Sequence, residues 1–217
     1  VGSVFSLHTD EHSPDLKLVV LAQTRQGYGN LCEFITLGRR RATKGNYYLT
    51  TSDITSPADP SLAHLQNLPE CLGLLVPEYG SSYEQMLAQA KWIAQAFSGR
   101  CWLALTLLHQ GQDAAHRSRL MAVSEATGVP LVAAGQVQMH VRSRKPVHDT
   151  LAAIRLGKSV QECGFALAAN AERHLRHRHP APAASPERRD VPVHQRRPDG
   201  LERPRRLRQR EQADDAD

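Results

Sequence analysis

The sequence has few cysteines, and none of them is paired at a metal-binding spacing. The four cysteines lie far apart in the chain, with no CxxC motif: Cys32, Cys71, Cys101 and Cys163. Structural zinc sites usually draw their ligands from such pairs, so this spacing argues against a zinc-binding fold. We interpret the cysteines as small buried apolar side chains of a protein from a reducing compartment.

Long apolar runs are also absent. No stretch approaches the roughly 20 apolar residues that span a bilayer, and no signal peptide is visible at the start of the chain. These absences predict a cytoplasmic protein with no membrane partner. Because the first residue is Val1, not methionine, we also expect that an upstream portion is missing.

The end of the chain lacks the residues that build a core. Residues 177–217 contain no Phe, Trp, Tyr, Lys, Ile or Met, and consist mainly of Arg, Pro, Ala, Asp and Glu. Such a segment cannot bury enough apolar area to offset the entropy lost on ordering. The composition therefore predicts a folded domain at 1–176 and an Arg/Pro-rich disordered tail at 177–217.

Apolar periodicity within 1–176 predicts an α/β fold. Repeated β-α units imply a mainly parallel sheet, either open or closed into a barrel. A capping box is expected at the start of the second helix, and Gly128 and Gly157 are expected to end the last two. The predicted strands are 2–7, 16–23, 71–76, 101–108 and 129–134, and the predicted helices are 25–38, 81–97, 113–127 and 147–156.

Polar groups follow the last of these strands, where α/β folds keep their chemistry. The stretch 135–146 reads GQVQMHVRSRKP, and its first two polar side chains are the amides of Gln136 and Gln138. Neutral amides bring no charge and little basicity, so they are poor ligands for a catalytic divalent cation. The sequence thus predicts the place for a site without the chemistry of a metal centre.

A basic cluster lies at the end of the same stretch. Arg142, Arg144 and Lys145 could bind nucleic-acid phosphates, because arginine binds phosphate oxygens through two hydrogen bonds. They could equally form ion pairs that tie the rim of the domain to a neighbour. The residues leave both interpretations open.

Several phrases of the sequence resemble the bacterial C-family replicative DNA polymerases, and most of all their error-prone (ImuC-type, DnaE-like) branch. The resemblance covers residues 2–176, which correspond to part of the polymerase-and-histidinol-phosphatase (PHP) domain of that family. It implies an incomplete, distorted β/α (TIM-like) barrel whose first strands lie upstream of this chain. The phrases are LVVLAQ at 18–23, GYGNLC at 27–32, MHVRSRKP at 139–146, DTLAAIRLG at 149–157 and ERHLR at 172–176.

The resemblance implies a fragment of a DNA-directed DNA polymerase used in damage-induced translesion synthesis and repair. Such a polymerase requires a divalent metal (Mg²⁺) and binds DNA, its other polymerase domains, and mutagenesis or clamp proteins. Its nucleotidyl-transfer site lies in a palm domain beyond this chain. We therefore expect the fragment to be inactive by itself, with no catalytic residue and no cofactor.

The metal ligands of an active PHP domain are replaced at both positions that fall in this chain. The first ligand segment usually reads Gly-Ser-Glu-Phe, and Val4 stands here in place of the glutamate. The second usually reads Asp-Val-His, and Gln136 and Gln138 flank the valine here. His140 is either a residual ligand or, as we favour, a hydrogen-bonded histidine at the rim.

Another set of histidines and acids falls between the first two strands. His8, Asp10 and His12 resemble a metal motif, but their position predicts an exposed hairpin loop. In the family this segment is a variable loop, not a ligand motif.

Two alternative functions stay open, as does the nature of the tail. A free-standing PHP-type metal-dependent phosphoesterase would need ligands that this sequence lacks. A basic nucleic-acid-binding protein would act through the arginines of 177–217. The same tail fits translation out of frame, because it loses apolar periodicity just where the resemblance stops.

Overall fold

The computed structural model describes residues 1–9 and 15–176. The predicted tail, Asp10 and His12 lie outside these residues. The strands are β1 (Gly2–Leu7), β2 (Leu16–Ala22), β3 (Cys71–Leu75), β4 (Cys101–Leu105) and β5 (Leu131–Ala133). The α-helices are α1 (Arg25–Arg40), α2 (Ser52–Thr55), α3 (Tyr83–Ala96), α4 (Asp113–Thr127) and α5 (Lys145–Leu156), and short 3-10 turns cover Pro60–Leu65, Arg142–Arg144, Val160–Glu162 and Gly164–Ala166.

The five strands form one sheet in the order β1-β2-β3-β4-β5. The first two pairings are antiparallel, whereas β3, β4 and β5 are parallel. The α/β class is therefore confirmed, and parallel pairing holds for the second half of the sheet. The sheet is open, because β1 and β5 do not pair with each other. The predicted TIM-like barrel is not confirmed, since a barrel requires that closure.

One face of the sheet carries the core. Phe5 of β1 packs edge-to-face on Phe34 of α1, with ring centroids 5.3 Å apart. The alternating pattern of a strand sends the next residue to the other face, and Val4 is accordingly exposed. Further buried members of the core on the strands and on α3 and α4 are Leu7, Leu16, Leu18, Val20, Leu75, Leu103, Met86, Ile93, Leu120 and Val123.

The helix ends follow the local sequence. The hydroxyl group of Ser82 accepts a hydrogen bond from the Gln85 amide at 3.2 Å, and the Gln85 side chain accepts one from the Ser82 amide at 2.9 Å. A capping box at the start of α3 was predicted at residues 81–84, and the structure forms it one residue later. Gly128 and Gly157 end α4 and α5 in left-handed conformations, with φ of 72° and 65°. These two stops were also predicted.

The cysteines are free, and three of the four are buried. Burial raises the pKa of the Cys71 and Cys101 thiols, which keeps them protonated and unreactive. No helix within the described residues combines the length and apolar character required to cross a membrane.

Candidate functional site

A cleft of about 190 Å³ opens at the carboxyl ends of β3 and β5. Its walls come from Lys17 of β2, from the residues that follow β3, and from Gln136, which follows β5. Arg173 reaches the same cleft from the end of the described chain. The structure thus contains a concave site where the order of elements predicted one. The residues following β3 that line the cleft are Val76, Pro77, Glu78 and Tyr79.

The two predicted glutamines take different positions. Gln136 adopts a left-handed backbone, with φ of 45°, and lines the cleft. Gln138 is exposed and does not line it. The backbone of Gln138 is paired with another segment, since its amide donates a 2.8 Å hydrogen bond to the Arg173 carbonyl group.

Val4 lies apart from both glutamines. It is located in the middle of β1, opposite Val19, and is 55% exposed. The small cavity that it lines also contains Ser3, Arg39 and Tyr47, but neither Gln136 nor Gln138. The structure therefore does not bring the three degenerate ligand positions into one site.

Backbone pairing fixes the loop that carries Gln136. The amides of Gln138 and Met139 donate to the Arg173 carbonyl group, at 2.8 and 3.2 Å. The Leu175 amide donates in return to the Met139 carbonyl group at 2.9 Å. This short parallel contact places Arg173 beside Gln136, a proximity that sequence alone did not predict.

His140 and Arg144 both project into solvent. Neither side chain makes a hydrogen bond or ion pair with another residue of the ranges 1–9 and 15–176. The exposed position fits a rim, but the structure shows no hydrogen bond to the His140 ring.

The other two members of the basic cluster are paired. Arg142 lies 3.1 Å from Glu172, and the Lys145 ammonium group lies 2.5 Å from Asp149. These ion pairs form within the domain and compete with any phosphate contact.

Glu172 is a central charge that the sequence analysis missed. Its side chain is only 12% exposed, and it lies within ion-pair distance of Arg142, Arg176 and His109, at 3.1, 3.3 and 3.7 Å. The sequence contains one local indication of these ion pairs, the spacing of four residues between Glu172 and Arg176. The Arg142 partner lies 30 residues away and left no such signal.

Tyr79 forms a second polar cluster behind the cleft. Its hydroxyl group donates to the Thr106 carbonyl group at 2.7 Å and to Asp113 at 3.0 Å, and accepts from the Leu108 amide at 3.2 Å. Its ring stacks on His116, with centroids 4.3 Å apart. Burial, reinforced by the Asp113 carboxylate, raises the pKa of Tyr79 to about 12. Tyr79 therefore stays neutral at neutral pH, and its hydroxyl proton is engaged inside the protein.

The carboxylate of Asp113 is held in its charged form. Burial opposes its ionisation, but hydrogen bonds from Tyr79 and from the amides of Gln110, Leu108 and His109 outweigh burial and lower the Asp113 pKa. These hydrogen bonds occupy the carboxylate oxygens of Asp113, which leaves little capacity to bind a metal ion.

Of the predicted hairpin motif, only His8 is described. Its ring nitrogen lies 2.9 Å from a carboxylate oxygen of Asp15, and its ring stacks on Tyr48 at 4.8 Å. Within 1–9 and 15–176, no three His, Cys, Asp or Glu side chains form a group that could hold a metal ion.

Comparison with known proteins supports the family resemblance. The chain is 54% identical over 178 residues to the error-prone DNA polymerase of Bordetella parapertussis, and 48% identical over 178 residues to that of Ralstonia nicotianae. It is 43% identical over 185 residues to the error-prone DNA polymerase of Burkholderia mallei. Each alignment covers 82% of this chain but only 16–17% of the relative. No protein-family model matches the chain.

Those alignments confirm the predicted similarity to the error-prone DNA polymerases. The chain spans about a sixth of the length of these curated relatives.

Proposed function

We propose that this chain is a PHP-type structural part of an error-prone DNA polymerase that acts in translesion synthesis and repair in the cytoplasm. The observation that carries the proposal is the similarity to error-prone DNA polymerases along most of the chain. In this proposal the chain supports the remainder of the polymerase, which binds DNA and carries out the chemistry. The part described here performs no reaction of its own.

The chemistry of the cleft supports the absence of catalysis. A divalent metal needs carboxylate or imidazole ligands, and the degenerate positions Val4, Gln136 and Gln138 supply neither. The cleft that holds Gln136 also holds Lys17 and Arg173. Two positive side chains repel a divalent cation, so the residues present do not fit a metal centre.

An apolar surface supports the structural role. Among residues 1–9 and 15–176, fourteen large apolar side chains are exposed, and nine of them fall in the range 137–175. On α5, Val147, Leu151 and Ile154 are 49%, 55% and 70% exposed, and their spacing places them on one stripe of the helix. Apolar patches of this kind usually mark an interaction surface. We assign this stripe to contact with the remainder of the polymerase.

Reconstitution tests the structural role. The chain is mixed with a Bordetella parapertussis error-prone polymerase that lacks the matching region, and co-purification and primer extension are measured. We expect the chain to bind and to restore extension, and Ile154→Asp to abolish both. Met121→Asp is the matched control, because Met121 is also apolar and 50% exposed but lies on α4. Restoration by the I154D variant would disprove the assignment of the stripe.

Hydrolysis tests the predicted lack of activity. The purified chain is incubated with bis(p-nitrophenyl) phosphate in Mg²⁺ or Mn²⁺, with and without EDTA. We expect no turnover above buffer. Turnover that EDTA stops would instead establish the free-standing phosphoesterase.

DNA affinity tests the second alternative. Binding to duplex DNA is measured across a salt series with the full chain and with a chain that ends at Arg176. A strong salt-dependent affinity that disappears with residues 177–217 would favour a nucleic-acid-binding protein acting through its tail.

A further inference from the structure

We propose that the cleft at the ends of β3 and β5 binds a small oxyanion of the phosphate class through Lys17 and Arg173. This inference goes beyond the proposed function, which assigns no ligand to the cleft. It concerns binding alone and involves no chemical step.

Lys17 is held in place by the sheet. It lies inside the apolar strand β2, opposite Ser6, and its carbonyl group accepts a 2.9 Å hydrogen bond from the Val76 amide. This pairing carries Lys17 to the end of β3, where the cleft opens. The residue is partly buried, so its charge has lost part of its hydration.

Arg173 is fixed by its backbone from the opposite side. Its carbonyl group accepts the two hydrogen bonds from Gln138 and Met139, while its side chain lines the cleft. It is also partly buried. The two cations therefore lie on separate, anchored elements and face the same space.

Neither cation has a partner among the residues that the structure describes. Within 1–9 and 15–176, the side chains of Lys17 and Arg173 make no hydrogen bond and no ion pair. Other cations of the domain do, since Arg41 lies 2.6 Å from Asp53 and Arg142 lies 3.1 Å from Glu172. Two partly buried cations without a carboxylate leave a favourable place for an anion from solution.

The remaining polar groups of the cleft define the ligand. The Gln136 side chain makes no hydrogen bond within the described part of the chain, so its amide nitrogen is available to donate. The Tyr79 hydroxyl group is already used by Thr106 and Asp113. Glu78 is exposed at the rim and carries the one negative charge among the described residues of the lining. Two cations and one carboxylate leave a net positive cleft with donors and few free acceptors.

This donor set favours a compact oxyanion with several acceptor oxygens. Ammonium and guanidinium groups together form charge-assisted hydrogen bonds to phosphate oxygens. A cleft of about 190 Å³ has room for such an ion. Chloride has no directional acceptor oxygens, and a divalent cation meets two like charges, so both should bind poorly.

Calorimetry with the full chain and inorganic phosphate tests the proposal. Titrations are run at constant ionic strength, with chloride and MgCl₂ as comparison ions. We expect Lys17→Met and Arg173→Met each to weaken phosphate binding by about tenfold or more, as expected for one charge-assisted hydrogen bond. Arg117→Met is the matched control, because it removes one positive charge at an exposed residue of α4 outside the cleft. It should leave phosphate affinity within about twofold of the parent chain.

Glu78→Gln keeps the proposal testable if a cleft variant fails to fold. Glu78 is exposed, so its substitution spares the core, and loss of its negative charge should tighten phosphate binding severalfold. Circular dichroism in phosphate-free buffer checks the fold of every variant. The proposal fails if folded K17M and R173M bind phosphate as the parent does, if R117M weakens binding equally, or if E78Q leaves affinity unchanged. Phosphate binding without hydrolysis leaves the proposed function intact.

Discussion

The backbone of Gly27 lies so close to the carbonyl oxygen of Glu70 that no β carbon fits between them. Gly27 is in the first turn of α1, where its amide donates to the Thr24 hydroxyl group at 3.1 Å. Two residues later, Gly29 faces open space, with no atom within 4 Å of the place that a β carbon would take. The two glycines of one phrase therefore have different physical roles.

Alanine substitution should separate these glycines. Gly27→Ala places a methyl group against a backbone oxygen, and we expect it to lower the free energy of unfolding by about 2 kcal/mol. Gly29→Ala should raise the same quantity by about 0.5–1 kcal/mol, because alanine favours the helix. Urea denaturation of the two variants and the parent chain measures both effects. Changes of the same sign would contradict the close approach of Gly27 to Glu70.

Arg100 stabilises the strained segment against which Gly27 packs. Asn67, Leu68 and Glu70 all have positive φ, with values of 59°, 40° and 60°. These conformations are costly for residues with a side chain. The Arg100 guanidinium group donates to the carbonyl oxygens of Asn67, Leu68 and Cys71.

Arg100→Met should therefore destabilise the domain. Methionine keeps an apolar stem beside Phe97 but leaves three carbonyl groups without their donor, and we expect a loss of about 2–3 kcal/mol in unfolding free energy. Arg117→Met is the control, since Arg117 is exposed on α4 and forms no ion pair or hydrogen bond within the described residues. An equal loss in the two variants would show that the bonds of Arg100 contribute nothing specific.

Local pattern predicted the main helices and strands well, but not where the fourth strand ends. The fourth strand was expected to run to residue 108, and β4 ends at Leu105. Beyond it the chain leaves the sheet, because the Thr106 carbonyl group and the Leu108 amide bond to the Tyr79 hydroxyl group instead of to a strand. A tyrosine 27 residues away decides this boundary, and no local pattern records it.

Side-chain direction was predicted less reliably than element type. The apolar residues of the helix at 113–127 predict that Leu120, Met121 and Val123 face inward, yet Met121 is 50% exposed. Successive residues of a helix point about 100° apart, so Met121 is turned away from its buried neighbour Leu120. Leu120 and Val123 are buried on the inward face of α4, and Met121 is not.

For the cleft, sequence predicted the location and Gln136 but missed both cations. A lysine inside the apolar strand LKLVVLA was an available signal for Lys17. Arg173 lies in a polar segment, and only the pairing of Met139 with the chain near His174 brings it to the cleft. Such long-range pairing depends on the tertiary fold, which the local sequence does not specify.

His116 should make the domain sensitive to acid. It is 1% exposed, and its Nδ1 atom has no hydrogen-bond partner among the described residues. Burial, with the nearby Arg119 charge, lowers the pKa of His116. The neutral form is favoured in the folded state, so the stability from this residue is present above the unfolded pKa of about 6.5 and is lost as pH falls below it. Asp113 also faces His116 and partly offsets the shift.

The pH dependence of urea unfolding between about pH 7 and 5 checks this prediction. We expect His116→Leu to lose less stability over this interval than the parent chain, whatever its stability at pH 7. His140→Leu serves as the control, because His140 is exposed. We expect it to leave the pH dependence of the unfolding free energy as in the parent chain. A parental slope in H116L would rule out His116 as the source of acid sensitivity.

Glu172 should link the stability of the last segment to the proposed anion site. It is nearly buried among Arg142, Arg176 and His109, and it directly precedes Arg173. Glu172→Gln keeps the shape but loses the charge, so we expect a loss of about 1 kcal/mol in unfolding free energy that shrinks at high salt. Glu125→Gln, an exposed carboxylate on α4, serves as the control and should change little.

The same substitution should also weaken phosphate binding, for a reason separate from charge in the cleft. Removing a negative charge near a positive cleft would by itself favour an anion. If Glu172 instead holds the chain that positions Arg173, its loss lets that side chain move and lowers affinity. A fall in phosphate affinity in E172Q therefore supports positioning, whereas a rise means that Glu172 acts on the cleft only through its charge.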